Sequence, residues 1–252
     1  MLRLFPPPAA EVPVQAVYDE VAWPAPPAAR PYVAINMVST VDGRAAVAGR
    51  ATGIGTPTDR LLMRQLRCHA DAVLIGVGTL RAEGFTPTVP EAYCAVRRAR
   101  GLTAQPLGVL VSGSGRLPLE RRYFRRPDFA RVLLTSAAGA AALDPAAADL
   151  RVVVAGEQSV DLPEGLHLLR AELGVRWLLC EGGPTLNHGL LAAGLVDELF
   201  LTLGPKLVGS AGPTIIEGPP FPADGAFPLR LLALHAEADE LYLRYAVAGA
   251  SG

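Results

Sequence analysis

The chain of 252 residues has few cysteines and histidines and a single lysine. Its three cysteines, Cys68, Cys94 and Cys180, are odd in number and far apart, which argues against a disulfide framework and indicates a reducing compartment. The four histidines are isolated, without the spacing of a zinc site, so we expect no metal. Lys206 is the only lysine, and a formal net charge of −1 gives no support to nucleic-acid binding.

Long apolar runs are also missing. No stretch of about 18 apolar residues is free of proline and charge, which argues against a membrane span. The N-terminal residues 1–8 lack the apolar core of a signal peptide. We therefore expect a cytoplasmic protein with no membrane partner. With 50% hydrophobic and 19% charged residues, the chain is typical of one large α/β domain.

The order of the segments predicts two parts, a proline-rich N-terminal arm (residues 1–30) and a single domain (residues 31–252). A short helix near residues 14–21 is compatible with the arm. Apolar runs typical of strands buried on both faces of a parallel sheet occupy residues 32–38, 72–76, 107–111, 132–135, 150–154 and 175–180. Helical segments lie between them, the clearest running from Thr56 to about His69 and from Thr185 to near Gly194.

The last third of the chain has a different pattern. Residues 198–206, 229–237 and 240–247 are typical of longer strands, with a turn at Ala238 and Asp239. Such strands are expected to add to one edge of the sheet in antiparallel fashion. The predicted fold class is therefore α/β, a three-layer α/β/α arrangement whose mixed, mostly parallel sheet has antiparallel C-terminal strands.

The most informative segment directly follows the strand at residues 175–180. Gly182 and Gly183 allow close approach of the backbone, and a helix begins immediately after them. Free N–H groups and the helix dipole together form an anion site suited to a diphosphate. On composition alone an ordinary tight turn is the stronger interpretation, because short glycine motifs are weak signals. Glu181 favours the interpretation as an anion site, since an acid in that position suggests hydrogen bonding to a polar substrate.

Two further strand ends carry small or hydroxyl residues. Thr79 follows the strand at residues 72–76, where it either caps a helical turn or contacts a cofactor. The glycine-rich fingerprint of dinucleotide-binding folds is absent here, because Arg81 occupies the position of its third glycine. Ser112, Ser114 and Arg116 follow the next strand. They form either a plain Gly/Ser loop or a site for the 2′-phosphate of NADPH, because the arginine fork matches phosphate.

Residues 39–43, which include Asp42, follow the first predicted strand. They form either a simple turn or a loop that closes over a nicotinamide or substrate ring.

Three arginines, Arg60, Arg64 and Arg67, share one helix face. Such stripes are usually solvated. The alternative is that Arg67 reaches a substrate phosphate. The chain shows no P-loop and no nucleophile motif. A cofactor that carries the difficult step, as in hydride transfer, fits this pattern.

Taken together, these segments resemble the pyrimidine reductases of riboflavin biosynthesis, which have a dihydrofolate-reductase-like fold. The matching stretches, spread over about residues 31–247, are Asn36–Arg44, Leu66–Glu83, Cys180–Leu186, Gly194–Leu199 and Pro205–Gly209. The resemblance implies a homodimer built partly through the C-terminal strands. It also implies NADPH-dependent reduction of the ribosyl group of 5-amino-6-(5-phosphoribosylamino)uracil.

The resemblance also assigns site residues. The residues implied to bind NADPH are Val38, Thr79, Glu83, Ser112, Gly183, Pro184, Thr185 and Leu186, to which the anion-site interpretation adds Gly182. Glu181 and Arg67 are implied to contact the substrate. We expect Glu181 to hold the pyrimidine, and Glu83 or Asp42 to orient groups or assist proton delivery.

Two departures from the family pattern bear on the substrate. The zinc deaminase signature of the bifunctional relatives is absent, so only reduction is expected. Residues 83–89 also lack the arginine that contacts substrate in those enzymes. Dihydrofolate or another pterin is therefore an alternative substrate. A non-catalytic NADPH-binding protein is a third hypothesis, which Glu181 argues against.

Overall fold

Strands and helices alternate through the middle of the chain, as the apolar runs predict. The computed structural model describes residues 1–19, 21, 23–147, 150–209, 212–221 and 226–248. The strands are β1 (Leu2–Phe5), β2 (Ala10–Glu11), β3 (Tyr32–Thr40), β4 (Ala72–Gly76), β5 (Leu107–Val111), β6 (Arg131–Thr135), β7 (Arg151–Val154), β8 (Trp177–Cys180), β9 (Glu198–Gly204), β10 (Leu229–Glu237) and β11 (Glu240–Val247). The α-helices are α1 (Pro57–His69), α2 (Val77–Ala82), α3 (Glu91–Ala99), α4 (Arg122–Arg125), α5 (Ala137–Ala141), α6 (Leu162–Leu173) and α7 (Pro184–Ala192).

The chain divides into two compact units. The first unit contains residues 1–22, 33–66 and 181–252, and the second contains residues 23–32 and 67–180. In the first unit the strand order is β2-β1-β10-β11-β9-β3. The β9–β3 pair is parallel, and the other pairs of this unit are antiparallel. Strands β10 and β11 have the predicted bounds, and the prediction of antiparallel C-terminal strands is confirmed.

Strands of the second unit follow the order β8-β4-β5-β6-β7 and are all parallel. Val73, Leu74 and Ile75 of β4 are fully buried, as expected for a central strand covered on both faces. The predicted fold class, a mixed sheet flanked by helices, is confirmed.

The N-terminal arm contains two strands that the sequence does not predict. β1 pairs with β10, where Arg3 lies opposite His235, and β2 in turn pairs with β1. The expected short helix is a single 3₁₀ turn at Val14–Ala16. The division into an arm and one reductase domain stays a prediction, and residues 1–22 count with the first unit.

Helix α1 is fixed at both ends by side chains. At its start, Thr56 Oγ1 accepts a hydrogen bond from the Thr58 N–H at 3.2 Å, so Thr56 caps the helix as predicted. At its end, the fully buried Arg97 donates from Nη1 to the carbonyls of Arg67 and Ala70, at 2.5 and 2.7 Å. Burial lowers the pKa of Arg97 to about 10. The guanidinium therefore remains a cation at neutral pH, which suits the negative end of a helix.

Within the described part of the chain, every helix is too short or too polar to cross a bilayer.

Candidate cofactor and substrate site

The glycine turn, residues 181–186, connects the end of β8 at Cys180 to helix α7. Gly182 is buried, with φ of +91°, and a Cβ atom there would lie 3.1 Å from Met37 Sδ. The peptide bond between Gly182 and Gly183 is cis. Gly183 occupies the N-cap position of α7 and supplies no side-chain cap. The helix therefore starts with N–H groups that no capping side chain satisfies, as a site for a diphosphate requires.

The start of α7 is held in place by the chain that follows β9. Asn187 is fully buried, and its Nδ2 donates to the Ile215 carbonyl at 2.8 Å. The Glu217 N–H donates to the Pro184 carbonyl at 3.2 Å. Thr185 is exposed at the first turn of the helix, while Leu186 is buried beneath it. These contacts make the glycine turn a fixed part of the first unit.

Val38 and Asp42 belong to the same unit. Val38 lies in β3, directly after Met37 and opposite Thr202 of β9. Asp42 lies in the turn after β3, where its carboxylate accepts hydrogen bonds from Thr40 Oγ1 at 2.5 Å and from the N–H groups of Val208 and Gly209. The hydrogen bond from Thr40, followed by that from Gly209, lowers the pKa of Asp42 to about 2. The observed contacts of Asp42 thus fasten the turn to residues 208–209.

The other predicted site residues lie in the second unit, and two of them follow neighbouring strands. Thr79 comes after β4 and Ser112 after β5, and these strands are parallel, with Gly76 opposite Val111. Ser112 is 1% exposed, and its Oγ has no hydrogen-bond partner in the part of the chain that the structure describes. A buried hydroxyl without a partner is costly, so Ser112 is suited to bind a ligand. Glu83 follows α2, where its N–H donates to the Thr79 carbonyl at 2.8 Å.

The loop after β5 is tightly packed and bordered by arginines. A Cβ atom on Gly115 would lie 2.0 Å from the Gly139 carbonyl oxygen, so only glycine fits there. Arg81 Nη2 donates to the Arg116 carbonyl at 2.6 Å, and Arg121 Nη2 donates to the Arg81 carbonyl at 2.5 Å. Arg81, Arg116 and Arg121 are thus linked at this loop through hydrogen bonds to backbone carbonyls.

Arg67 differs from the solvated stripe that its spacing suggests. Arg60 and Arg64 are exposed, but Arg67 is only 5% exposed. Its Nη1 donates to the carbonyls of Thr86 and Thr88, both at 3.0 Å, and its guanidinium lies 5.3 Å from the centre of the Phe85 ring. Arg67 thus shapes residues 85–88, the segment in which the expected family arginine is missing.

A buried polar cluster in the first unit was not predicted from the sequence. It contains Thr56, Asp59, Thr202, Glu240 and Tyr242, contributed by the start of α1, by β9 and by β11. The sequence signals only that Asp59 suits the positive end of a helix. It gives no sign of the cluster, because the pairing of β9 with β11 brings Thr202 opposite Tyr242 from 40 residues away.

Comparisons with known proteins agree with this fold. The RibD C-terminal domain family model matches residues 31–241. The 2,5-diamino-6-ribosylamino-4(3H)-pyrimidinone 5′-phosphate reductase of Methanothermobacter thermautotrophicus is 34% identical over 87% of this chain and 100% of that protein. The protein with the same name from Archaeoglobus fulgidus is 32% identical over 76% of this chain and 89% of its own length. A pyrimidine reductase-like protein from Corynebacterium diphtheriae, 23% identical, superposes with a TM-score of 0.78 over 91% of this chain and 98% of that one.

The two archaeal relatives thus define the chain as a reductase, and its fold is shared with a pyrimidine reductase-like protein. The chain belongs to the RibD C-terminal domain family, the pyrimidine reductases of riboflavin biosynthesis.

Proposed function

We propose that this protein uses NADPH to reduce the ribosyl group of a 6-ribosylaminopyrimidine 5′-phosphate, with 5-amino-6-(5-phosphoribosylamino)uracil as the leading substrate. The observation that carries the proposal is the glycine turn, in which Gly182 has a φ of +91° and Gly183 leads into the uncapped start of α7. The names of the two archaeal relatives support the class of substrate.

The residues present fit a nicotinamide dinucleotide. In the proposal, Gly182, Gly183 and the first turn of α7 (Pro184, Thr185 and Leu186) hold the diphosphate. Ser112 of the second unit is proposed as a cofactor contact by the family resemblance, and its unpartnered hydroxyl can accept or donate a hydrogen bond. Val38, Thr79 and Glu83 complete the set that the family resemblance implies. When bound, NADPH supplies the hydride that reduces the open, imine-like form of the ribose.

The chain's own residues orient the substrate. Glu181 is proposed to hold the pyrimidine through its polar edge, since it is the first residue of the glycine turn. Arg67 contributes by holding residues 85–88 in place. Glu83 and Asp42 remain candidates for orienting groups or assisting proton delivery. Alignment of this kind can contribute about 7–11 kcal/mol to a rate enhancement.

Steady-state oxidation of NADPH tests the proposal. The assay compares 5-amino-6-(5-phosphoribosylamino)uracil, the 2,5-diamino-pyrimidinone 5′-phosphate and dihydrofolate as substrates. Turnover of either ribosylaminopyrimidine is the expected result. Turnover of dihydrofolate alone would replace the substrate class with pterins. Binding of NADPH without oxidation across all three would instead show a non-catalytic binding protein.

The preference for NADPH over NADH is proposed to come from Ser114, Arg116 and the neighbouring Arg121. Guanidinium groups pair with the 2′-phosphate, which NADH lacks. We expect Arg116→Ala to raise KM for NADPH about tenfold, the effect of losing one charge-assisted hydrogen bond of about 1.5 kcal/mol. KM for NADH should stay unchanged. Arg125→Ala, which removes an exposed charge from α4, serves as the control, and an equal loss for both cofactors in Arg116→Ala would contradict the assignment.

A homodimer is proposed to form through the C-terminal strands. One face of the first unit's sheet carries two rows of apolar side chains that retain solvent exposure, one of Leu203, Leu241, Ala236 and Leu2, the other of Leu201, Leu243, Leu234 and Phe5. An apolar face of this extent is typical of an obligate interface.

A cytoplasmic location is also proposed. It is supported by the reducing compartment that the three cysteines, none of them in a disulfide, suggest.

The dimer is tested by placing a charge on this face. We expect Leu243→Asp to weaken self-association by at least about tenfold, because a carboxylate would be buried without a partner in the interface. Sedimentation equilibrium measures the change. Leu207→Asp introduces the same charge at a side chain that is 78% exposed and off this face, and it should leave the association constant unchanged. A wild-type protein that is monomeric at micromolar concentration would contradict the proposal.

A further inference from the structure

An apolar cavity lies in the first unit, where helix α7 meets strands β3 and β9. Its volume is about 150 Å³. The side chains that line it include those of Ile35, Met37, Leu191, Leu199, Phe221 and Phe227. Atoms that border an empty space lack contacts on one side, so an occupant of the right size gains van der Waals contacts on entry.

The lining offers an occupant few hydrogen-bond partners. Asn187 is the one polar side chain among the described residues that line the cavity, and its Nδ2 already donates to the Ile215 carbonyl at 2.8 Å. None of these described residues carries a charge. A charged ligand would lose its hydration there without a compensating partner. The cavity therefore selects an uncharged, apolar ligand.

The size and the walls of the cavity narrow this class to a single aromatic ring. Apolar cavities of about 150 Å³ with leucine, isoleucine and phenylalanine walls stay dry and bind benzene. Phe221 and Phe227 already form an edge-to-face pair, with ring centres 4.7 Å apart and an angle of 87° between the ring planes. A ligand ring can pack on them in the same way. The Met37 thioether is a further favourable contact for an aromatic ring.

The wall at Phe221 is supported from outside the cavity. The Phe221 ring stacks on the His188 ring of α7, with centres 4.7 Å apart and 7° between the planes. His188 Nε2 donates to the Pro219 carbonyl at 2.7 Å. A Cβ atom on Gly218 would lie 2.3 Å from the His188 ring, so the chain packs tightly there. These contacts hold the wall in place and keep the cavity open.

Two of the lining residues also contact the glycine turn. A Cβ atom on Gly182 would lie 3.1 Å from Met37 Sδ, so Met37 packs directly on that glycine. The Asn187 N–H donates to the Gly183 carbonyl at 3.0 Å. An occupant of the cavity restrains both side chains, so the glycine turn has less conformational freedom left to lose when a cofactor binds. Filling the cavity should therefore strengthen cofactor binding.

We propose that this cavity is a regulatory site for an uncharged ligand with one aromatic ring, which strengthens NADPH binding at the glycine turn through Met37 and Asn187. Binding of the aromatic ligand is independent of the proposed function. Its effect on NADPH rests on that function.

Fluorobenzene is the probe, and NMR signals of isotope-labelled methionine methyl groups report where it binds. The chain has three methionines, so the signals are few and Met37→Leu assigns the one that matters. We expect the Met37 signal to move in a saturable way, with a Kd of about 1 mM or lower. Met63 of α1 does not line the cavity, and its signal should stay in place. A Met37 signal that fluorobenzene does not move would overturn the inference.

Ala226→Phe tests whether the ligand occupies this cavity, because it adds a phenyl ring to an exposed residue of the lining. We expect the affinity for fluorobenzene to fall at least about tenfold. Ala192→Phe is the matched control: it adds the same ring to an exposed residue of α7 outside the lining, and it should leave Kd unchanged. Leu191→Phe narrows the cavity from the buried side of α7 and should act like Ala226→Phe. Undiminished affinity in both lining variants contradicts the site.

Two comparisons identify the class of occupant. Benzoate has the same ring with a carboxylate, and it should bind at least about ten times more weakly than fluorobenzene. Equal binding of the two would show that the site is not apolar. Sedimentation equilibrium tests for a competing occupant. If fluorobenzene dissociates a dimer, an aromatic side chain of a second copy fills the cavity and the proposal of a small ligand fails.

Calorimetric titration with NADPH tests the regulation. With the cavity saturated by fluorobenzene, we expect Kd for NADPH to fall about fivefold, and NADPH should tighten fluorobenzene binding by the same factor. Ala192→Phe should keep this coupling. An unchanged Kd for NADPH while fluorobenzene is bound would remove the regulatory role.

The two proposals fail in different ways. A wild type that binds and oxidises NADPH but does not bind fluorobenzene keeps the proposed function and loses this inference. A wild type that binds fluorobenzene but not NADPH loses the proposed function and keeps the ligand site.

Discussion

Gly182→Ala is expected to weaken NADPH binding by about a hundredfold. Alanine at a φ of +91° costs about 1–2 kcal/mol in backbone strain. Its Cβ would also lie 3.1 Å from Met37 Sδ, so Met37 or the turn must move. Relief of the backbone strain and of the contact with Met37 shifts the N–H groups that are proposed to hold the diphosphate. A loss of about 2.7 kcal/mol in binding corresponds to a hundredfold change in Kd, which isothermal titration calorimetry measures.

Gly194→Ala is the matched control for this experiment. Gly194 follows α7 with φ of +66°, and a Cβ atom there would meet no atom within 4 Å. The substitution therefore introduces comparable backbone strain in the same unit without a neighbouring clash. It should lower the free energy of unfolding but leave Kd for NADPH unchanged. Equal losses of affinity in both variants would show that the glycine turn does not hold the cofactor.

Asp59→Asn is expected to stabilise the protein at alkaline pH. The pKa of Asp59 is raised from 3.8 to about 6 in the folded state. Its contribution to stability is therefore fully present below about pH 3.8 and is lost as the pH rises through about 6. A shift of about two units corresponds to nearly 3 kcal/mol, which we reduce to about 2 kcal/mol because the residue is partly exposed. Asparagine does not titrate and avoids this loss.

The free energy of unfolding in urea, measured for both proteins at about pH 4 and about pH 8, reveals the effect. Relative to the wild type, Asp59→Asn should gain about 2 kcal/mol between the two pH values. Asp42→Asn provides a contrast, because the pKa of Asp42 is lowered from 3.8 to about 2. Its contribution is present above about pH 3.8 and is lost only as the pH falls toward about 2, so this variant should show little change relative to wild type between the two pH values. A stability difference between Asp59→Asn and wild type that is independent of pH would contradict the assigned protonation of Asp59.

Most of the sheet follows from the sequence because each strand carries its own signal. The run Ala72–Gly76 is apolar without interruption, and the segments at 229–237 and 240–247 are bounded by a turn, so their positions are predicted correctly. The strand β1 has only four residues and is followed by prolines. It forms because β10 offers it an edge, which is a tertiary effect that no local pattern records.

Only part of the candidate site can be predicted from the sequence. Glycine turns and strand ends are local features, so the positions of the glycine turn and of Ser112 after β5 follow from the sequence, while their role in binding stays a prediction. Arg67 is different, because its carbonyl partners at Thr86 and Thr88 lie 19 and 21 residues further along the chain. The cluster around Asp59 depends on β11, more than 180 residues away. Periodicity within a helix describes neighbours at three and four residues and cannot report such contacts.

The hydrogen bonds that Arg97 makes at the end of α1 have a consequence for acid unfolding. Arg97 donates hydrogen bonds to the carbonyl oxygens of Arg67, Ala70 and Thr103. None of these acceptors gains a proton in mild acid. In the same unit, Asp71 fastens the N–H groups of Arg176 and Trp177 through a carboxylate, which protonation weakens. As acidity increases, opening of the second unit should therefore begin at the start of β8, while amides around residues 67–70 keep their protection from hydrogen exchange the longest.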